Sequence, residues 1–181
     1  SYGLQSQASE PDMFPQCIER LQQQARNAGV SDNTIINILG HVKPLPKILS
    51  YDRNQPEFVQ TFTGYFSKRV TNWRVNKGRE KLVEHREFLS ALTQQYGVPA
   101  HYLISFWGLE TNFGGIKGKI PTIAALTTLA CDQRRSAYFS GELVQALLLL
   151  ERENLDPKEM IGSWAGAMGH TQFMPTAYIK Y

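Results

Sequence analysis

Nine prolines and 14 glycines cut this chain of 181 residues into short segments, and within the segments apolar residues recur at helical spacing rather than alternating. Pro15 suits the first turn of a helix that runs through Ile18, Leu21 and Ala25 and stops at Gly29. Ser31 follows as an N-cap for a helix carrying Ile35, Ile36 and Leu39, closed by Gly40. Pro56 fits another first turn, leading into Val59, Phe62, Tyr65 and Phe66. Residues 70–78 read as a connection, and one helix from Arg79 carries Leu82, Val83, Phe88, Leu89 and Leu92 to Gly97. Pro99 opens the next, with Leu103, Phe106, Trp107 and, near its end, Glu110. Helices are expected over 122–130 and 136–154, and Asp156-Pro157-Lys158-Glu159 has the form of a capping box. No alternating strand or internal repeat stands out, so the expected fold is mainly α.

The length allows one compact domain with a substantial core. A net charge of +3, spread along the chain, fits an anionic partner without requiring one. No basic stripe interleaved with aromatics argues for nucleic acid. No apolar run reaches the roughly 20 residues of a membrane span. The polar opening, 1–13, reads as a flexible lead-in with no basic or apolar leader pattern. Cys17 and Cys131 are either a disulfide of an oxidising compartment or two buried thiols.

Two stretches bear on chemistry. Glu110 follows Phe106-Trp107-Gly108-Leu109, just before the helix runs out at Gly114-Gly115. It is either a solvent-facing helix carboxylate or a general acid whose apolar setting raises its pKa. A partner carboxylate for glycoside hydrolysis is not evident. Glu142, Glu151 and Glu153 fall toward the polar side of the long helix, where charge is ordinarily solvated, and Asp132 is a helix-end or loop residue. The second stretch, 162–175, is rich in glycine and alanine, whose backbone can approach a ligand closely, with Ser163, Gln172 and Phe173 adding a hydroxyl, an amide and an aromatic face. Arg134-Arg135 either binds an anionic group or, the more ordinary reading, caps the preceding helix or stands on the surface, and His170 reads as a solvated loop histidine. No metal-ligand spacing or cofactor loop is present, so neither metal nor cofactor is expected.

Four blocks carry a resemblance: residues 52–58 (Asp-Arg-Asn-Gln-Pro-Glu-Phe), 108–114 (Gly-Leu-Glu-Thr-Asn-Phe-Gly), 134–139 (Arg-Arg-Ser-Ala-Tyr-Phe) and 166–175 (Gly-Ala-Met-Gly-His-Thr-Gln-Phe-Met-Pro). Their order and spacing resemble the lytic murein transglycosylase B family, over nearly the whole chain after residue 13. The resemblance implies a lysozyme-like catalytic core over 79–181, preceded by an N-terminal helical portion over 14–78. It implies cleavage of the β-1,4 bond between N-acetylmuramic acid and N-acetylglucosamine in peptidoglycan, without water, leaving a 1,6-anhydro ring. Glu110 would be acid and then base, which explains the missing second carboxylate. Ser163, Gln172, Phe173, Arg134, Arg135 and, in a weaker block, Tyr65 would line the saccharide groove.

The family's sequences run on past the last block, through a segment that in some members holds calcium. On that comparison this chain lacks the C-terminal part of the family fold. The resemblance further implies a periplasmic protein, soluble or held to the outer membrane by a lipid anchor absent from this chain, acting on glycan strands beside other cell-wall enzymes. A peptidoglycan-binding fragment without activity and a hydrolytic muramidase are the competing readings.

Overall fold

A computed structural model of the chain describes residues 10–54 and 61–181, with side chains from residue 13 onward. The first nine lead-in positions, the expected helix start at Pro56 with Val59, and the end of the first block therefore lie outside the described residues. Ten α-helices and one short ribbon follow: α1 (Glu10–Asn27), α2 (Asp32–Asn37), a 3-10 turn (Leu39–His41), α3 (Pro46–Arg53), α4 (Phe62–Arg69), α5 (Asn72–Glu84), α6 (Arg86–Tyr96), α7 (Ala100–Thr111), β1 (Ile120–Pro121), α8 (Thr122–Ala130), α9 (Ser136–Arg152), β2 (Ile161–Gly162) and α10 (Pro175–Lys180).

Helix α8 is apolar or hydroxylic at every position and is buried on nearly all sides. It packs against α9, whose Phe139, Leu143, Ala146 and Leu147 are almost wholly enclosed. Leu21 and Ala25 of α1, Ile35 of α2 and Ile48 of α3 complete the same cluster, so the N-terminal helices close the core rather than append to it. At the end of α8 the Arg20 guanidinium and the Ser136 hydroxyl both donate to Ala130 O, at 3.1 and 2.6 Å. Cys17 and Cys131 are joined as a disulfide there, resolving the open alternative in favour of the bond.

Several local expectations change. Helix α1 starts at Glu10, so Pro15 lies inside it. Residues 72–78 are helical because Thr71 caps α5, its hydroxyl accepting from Arg74 N. The helix expected to run on from Arg79 breaks at His85 into α5 and α6. Asp156 heads a single turn, its carboxylate accepting from Lys158 N, and no helix forms at 157–160. The β1–β2 ribbon, extended by bridges from Gly162 to Met168 and from Met168 to Phe173, is too short to show alternation. Ser31 does cap α2, and Gly97 closes α6 in the left-handed conformation at φ 71°.

Two of the acids expected in solvent hold helices. Glu142 is only 6% exposed and accepts from Thr176 N at 2.9 Å, at the start of α10. Glu151 accepts from Ser31 N and Ser31 Oγ at 3.0 and 2.6 Å, locking α2 to the end of α9.

Closing a loop of 114 residues, the disulfide contributes on the order of 4–5 kcal/mol by chain entropy. Chemical denaturation with and without a thiol reductant should differ by an amount of that order. Burial raises the Glu151 carboxyl, but hydrogen bonds from Ser31 and Thr34 outweigh it and hold it below its ordinary value. Its stabilisation is therefore full above the usual carboxyl range and is lost as pH falls through the lowered folded value. The stability gap between the protein and Glu151→Ala, followed by thermal melts, should close in acid.

Candidate active site

Helix α7 ends by an abrupt reversal. Asn112, Phe113 and Gly114 all have left-handed backbone, at φ 49°, 58° and 86°. Asparagine and glycine accept this conformation readily, but for a bulky residue it costs about 1–2 kcal/mol. The reversal throws the Phe113 ring back beneath α7, edge-on to Trp107 at 5.6 Å between centroids. Gly108 leaves the space: a Cβ there would lie 2.6 Å from Phe113 Cζ. Two guanidiniums secure the helix end, Arg69 donating to Leu109 O at 3.3 Å and Arg74 Nε donating to Asn112 Oδ1 at 3.0 Å. Positive charge there also complements the helix dipole.

The loop over 162–174 is fastened to this end of α7 by one buried hydroxyl. Thr111 Oγ1, on a residue 1% exposed, donates to His170 O at 2.8 Å and accepts from Gly114 N at 2.9 Å. Trp107 Nε1 donates to His170 Nδ1 at 3.0 Å, which leaves the imidazole proton on Nε2. The imidazole fills the space beside Gly114, where a Cβ would lie 2.3 Å from it. His170 is thus exposed but structurally committed, contrary to the expectation of a free loop histidine.

Glu110 sits one residue before Thr111 and points the other way. Its side chain is exposed and has no hydrogen-bond partner among the described residues. The apolar enclosure expected around this carboxylate is therefore not built by the chain alone: the neighbours that would bury it, Trp107 and Phe113, pack against each other, and Trp107 also against His170. On the Glu110 face, Phe106 lies one turn back, 41% exposed, with the 45% exposed Phe173 ring 5.9 Å away. A carboxylate beside two open aromatic faces suits a polyhydroxylated ring: stacking on one side, proton transfer on the other. No other carboxylate shares a helix face, hydrogen bond or ring contact with Glu110 among the described residues.

The remaining expected groove residues fall into three places. Gln172, itself left-handed at φ 51°, donates from Nε2 to Gly169 O at 3.0 Å and to Lys117 O at 3.1 Å, tying the loop to the 115–119 turn. Ser163 Oγ accepts from Ala167 N at 3.1 Å and Ala165 N at 3.3 Å, so its oxygen orders the loop. Tyr65, on α4, carries the Arg69 guanidinium over its ring at 5.3 Å, which links it to the end of α7. Arg134 and Arg135 stand elsewhere. Arg134 Nη2 donates to Asp52 Oδ1 at 3.0 Å and Arg135 Nη1 lies 3.6 Å from the same oxygen, while Arg53 pairs with Asp132 at 2.7 Å. They anchor α3 to the α8–α9 connection, and among the described residues no hydrogen bond or ion pair joins them to Glu110.

Residues 13–181 match the Transglycosylase SLT domain. The chain belongs to this family. It is 32% identical to the membrane-bound lytic murein transglycosylase B of Escherichia coli, across 92% of this chain and 49% of that protein. The crystal structure of SltB3 from Pseudomonas aeruginosa in complex with NAG-NAM-pentapeptide superposes with a TM-score of 0.86 at 35% identity, covering 93% of this chain and 45% of that one. Soluble lytic transglycosylase SltB1 of the same organism gives 0.83 at 32% identity, over 92% and 57%. The fold is thus the lysozyme-like one that the four blocks implied, and the chain spans about half the length of the relatives it matches.

Thr111, His170, Arg69 and Arg74 were not singled out from sequence as site residues. The available signal was positional: the residue after an outward carboxylate on a helix turns about 100° away, into the packing. Thr111→Val leaves His170 O and Gly114 N without this partner, and urea unfolding should register a loss of about 1–3 kcal/mol.

Proposed function

We propose that this chain is the catalytic portion of a peptidoglycan lytic transglycosylase. It cleaves the MurNAc-β-1,4-GlcNAc bond and leaves 1,6-anhydroMurNAc ends. The observation that carries the reading is a single exposed carboxylate, Glu110, beside the Phe106–Phe173 aromatic pair at the end of a rigidly fastened helix. Membership of the family and the relatives' names support the same chemistry.

In this reaction Glu110 gives its proton to the glycosidic oxygen as the C1–O bond breaks. The substrate's acetamide supports C1 from the opposite face. The muramoyl C6 hydroxyl then bonds to C1, and its proton passes to the Glu110 carboxylate, restoring the acid. No water enters, so no second carboxylate has work to do. The free chain leaves Glu110 in solvent, and the bound glycan excludes water from the carboxyl during the reaction.

We assign Phe173, Gln172 and Ser163 to the saccharide groove, Phe173 by its open face and the other two by holding the loop that presents it. Tyr65 borders the groove through Arg69. Arg134 and Arg135 serve the groove by anchoring α3 and the α8–α9 connection through Asp52. Residues 79–181 form the lysozyme-like catalytic portion, clamped by the helical portion 14–78 through the shared core and disulfide. The disulfide favours an oxidising compartment, and the relatives' names favour the bacterial cell wall, which together support a periplasmic setting. None of the described helices is long and apolar enough to cross a membrane. Association with that membrane would therefore rest on an anchor outside these helices, and other cell-wall enzymes are the natural partners.

Digestion of purified peptidoglycan should release 1,6-anhydromuramoyl products by mass spectrometry. Reducing-end products, heavier by one water, would instead identify a hydrolytic muramidase. Glycan binding with no turnover, unchanged by Glu110→Gln, would identify a binding module. Glu110→Gln should remove turnover by at least about a hundredfold, as loss of a general acid–base group does. Its folding stability should stay within about 0.5 kcal/mol, because the side chain is exposed.

A further inference from the structure

Helix α7 has a second working face. Gly108 stands about 200° around the helix axis from Glu110, so the side that Gly108 opens is turned away from the carboxylate. On that side a cavity of about 240 Å³ lies between α5 and α7, beside the end of α4. Its walls are Val75, Leu82, Ile104, Leu109 and the Phe113 ring. Glycine makes the room on both helices. A Cβ on Gly78 of α5 would stand 3.5 Å from Ile104 Cγ2 and 3.6 Å from Phe113 Cζ, and Gly108 of α7 clears the space for the Phe113 ring.

The cavity is apolar within and cationic at its rim. Arg69, Arg74 and Arg79 all line it, and none of them pairs with a carboxylate among the described residues. The acids of α5 are committed elsewhere, Glu80 to Lys77 at 2.8 Å and Glu84 to Lys81 at 2.7 Å. The guanidiniums meet only neutral oxygens: Arg69 that of Leu109 O, Arg74 that of Asn112 Oδ1, and Arg79 Nη1 that of Asn76 Oδ1 at 3.5 Å. Each has N–H donors beyond those these contacts use. Positive charge left uncompensated around an apolar hollow is the complement of an anionic head on an apolar tail. An apolar cavity of roughly 150 Å³ takes a benzene ring and drug-sized sites begin near roughly 300 Å³, so the tail is a short alkyl or aryl group.

We infer that this cavity is a regulatory site for a small anionic amphiphile, its carboxylate or phosphate head on the three guanidiniums and its tail on Leu82, Ile104 and Phe113. The inference rests on the lytic reading of Glu110 only for what occupancy does to turnover. A charge-assisted hydrogen bond is about twice as strong as a neutral one, so the bound head draws Arg69 and Arg74 away from Leu109 O and Asn112 Oδ1. Those contacts secure the end of α7, and Arg69 also lies over the Tyr65 ring. Occupancy therefore loosens the helix that presents Glu110, and it does so from the face turned away from the groove.

The probes are octanoate and octyl phosphate, titrated by calorimetry below their micelle-forming concentrations. Both should bind saturably, with octanol and inorganic phosphate each at least about tenfold weaker for want of head or tail. The tighter of the two tells a fatty-acid ligand from a phospholipid-type one. Gly78→Leu, which fills the hollow, and Arg79→Glu, which reverses one exposed charge, should each weaken octanoate by at least about tenfold. Arg79→Glu keeps the test open if Gly78→Leu fails to fold. Saturating octanoate should lower peptidoglycan turnover about fivefold, the equivalent of one hydrogen bond at the helix end, and shift the Asn112 side-chain amide resonances in NMR spectra. Octanol binding as tightly as octanoate, or octanoate binding unchanged in both variants, would overturn the site. Octanoate bound with turnover and the Asn112 signal both unaltered would overturn its regulatory role. If peptidoglycan is not turned over at all, the lytic reading has failed, and octanoate binding together with the Asn112 signal decides the site by itself.

Discussion

The Thr111 hydroxyl is the smallest part of this molecule on which the most depends. It sits where the last turn of α7 meets the 162–174 loop, almost wholly out of water, and it bonds both sides of that joint. Without it, the helix that presents Glu110 and the loop that presents Phe173 would be joined by the Trp107–His170 hydrogen bond and side-chain packing alone. The Trp107–His170 bond and the close fit of His170 against Gly114 reinforce the joint but do not replace it, because both lie nearer the surface.

The four blocks recognised in the sequence pair off in space by the same logic. The second and fourth meet at Thr111 and His170. The first and third meet at Asp52, which is 4% exposed and draws in both Arg134 and Arg135. One pair carries the candidate chemistry and the other fixes α3 against the core on which that chemistry stands. A buried carboxylate flanked by two guanidiniums is costly to break by removing one partner, which is sufficient reason for all three to be kept together.

Much of this was legible in the chain. The helical class, the capping role of Ser31, the stop at Gly97 and the span of α8 follow from periodicity and local capping alone. Glu110 was legible as chemistry because it is a carboxylate among apolar residues near a helix end, and Phe173 because it adds an aromatic face to a glycine- and alanine-rich loop. What could not be read is what long-range packing decides. Glu142 looks like any surface glutamate until Thr176, 34 positions later, brings a bare N–H to it. His170 looks free until Gly114 makes room for its ring. The apolar neighbours of Glu110 suggested enclosure, but Trp107 and Phe113 pack against each other, and Trp107 against His170, while Glu110 stays exposed. The β1–β2 ribbon was silent because two residues cannot display a period of two.

The Gly108–Phe113 and Gly114–His170 fits have a bearing on how such a site could be redesigned. Each is a void and its filler, separated in sequence but complementary in shape, and each crosses the reversal at Asn112. Neither member can change size alone, so the effects of their substitutions will not add. For anyone building variants of this protein, the stretch from Gly108 to Gly114 together with His170 is one interchangeable cassette. Libraries that vary its positions independently would consist mainly of mismatched halves.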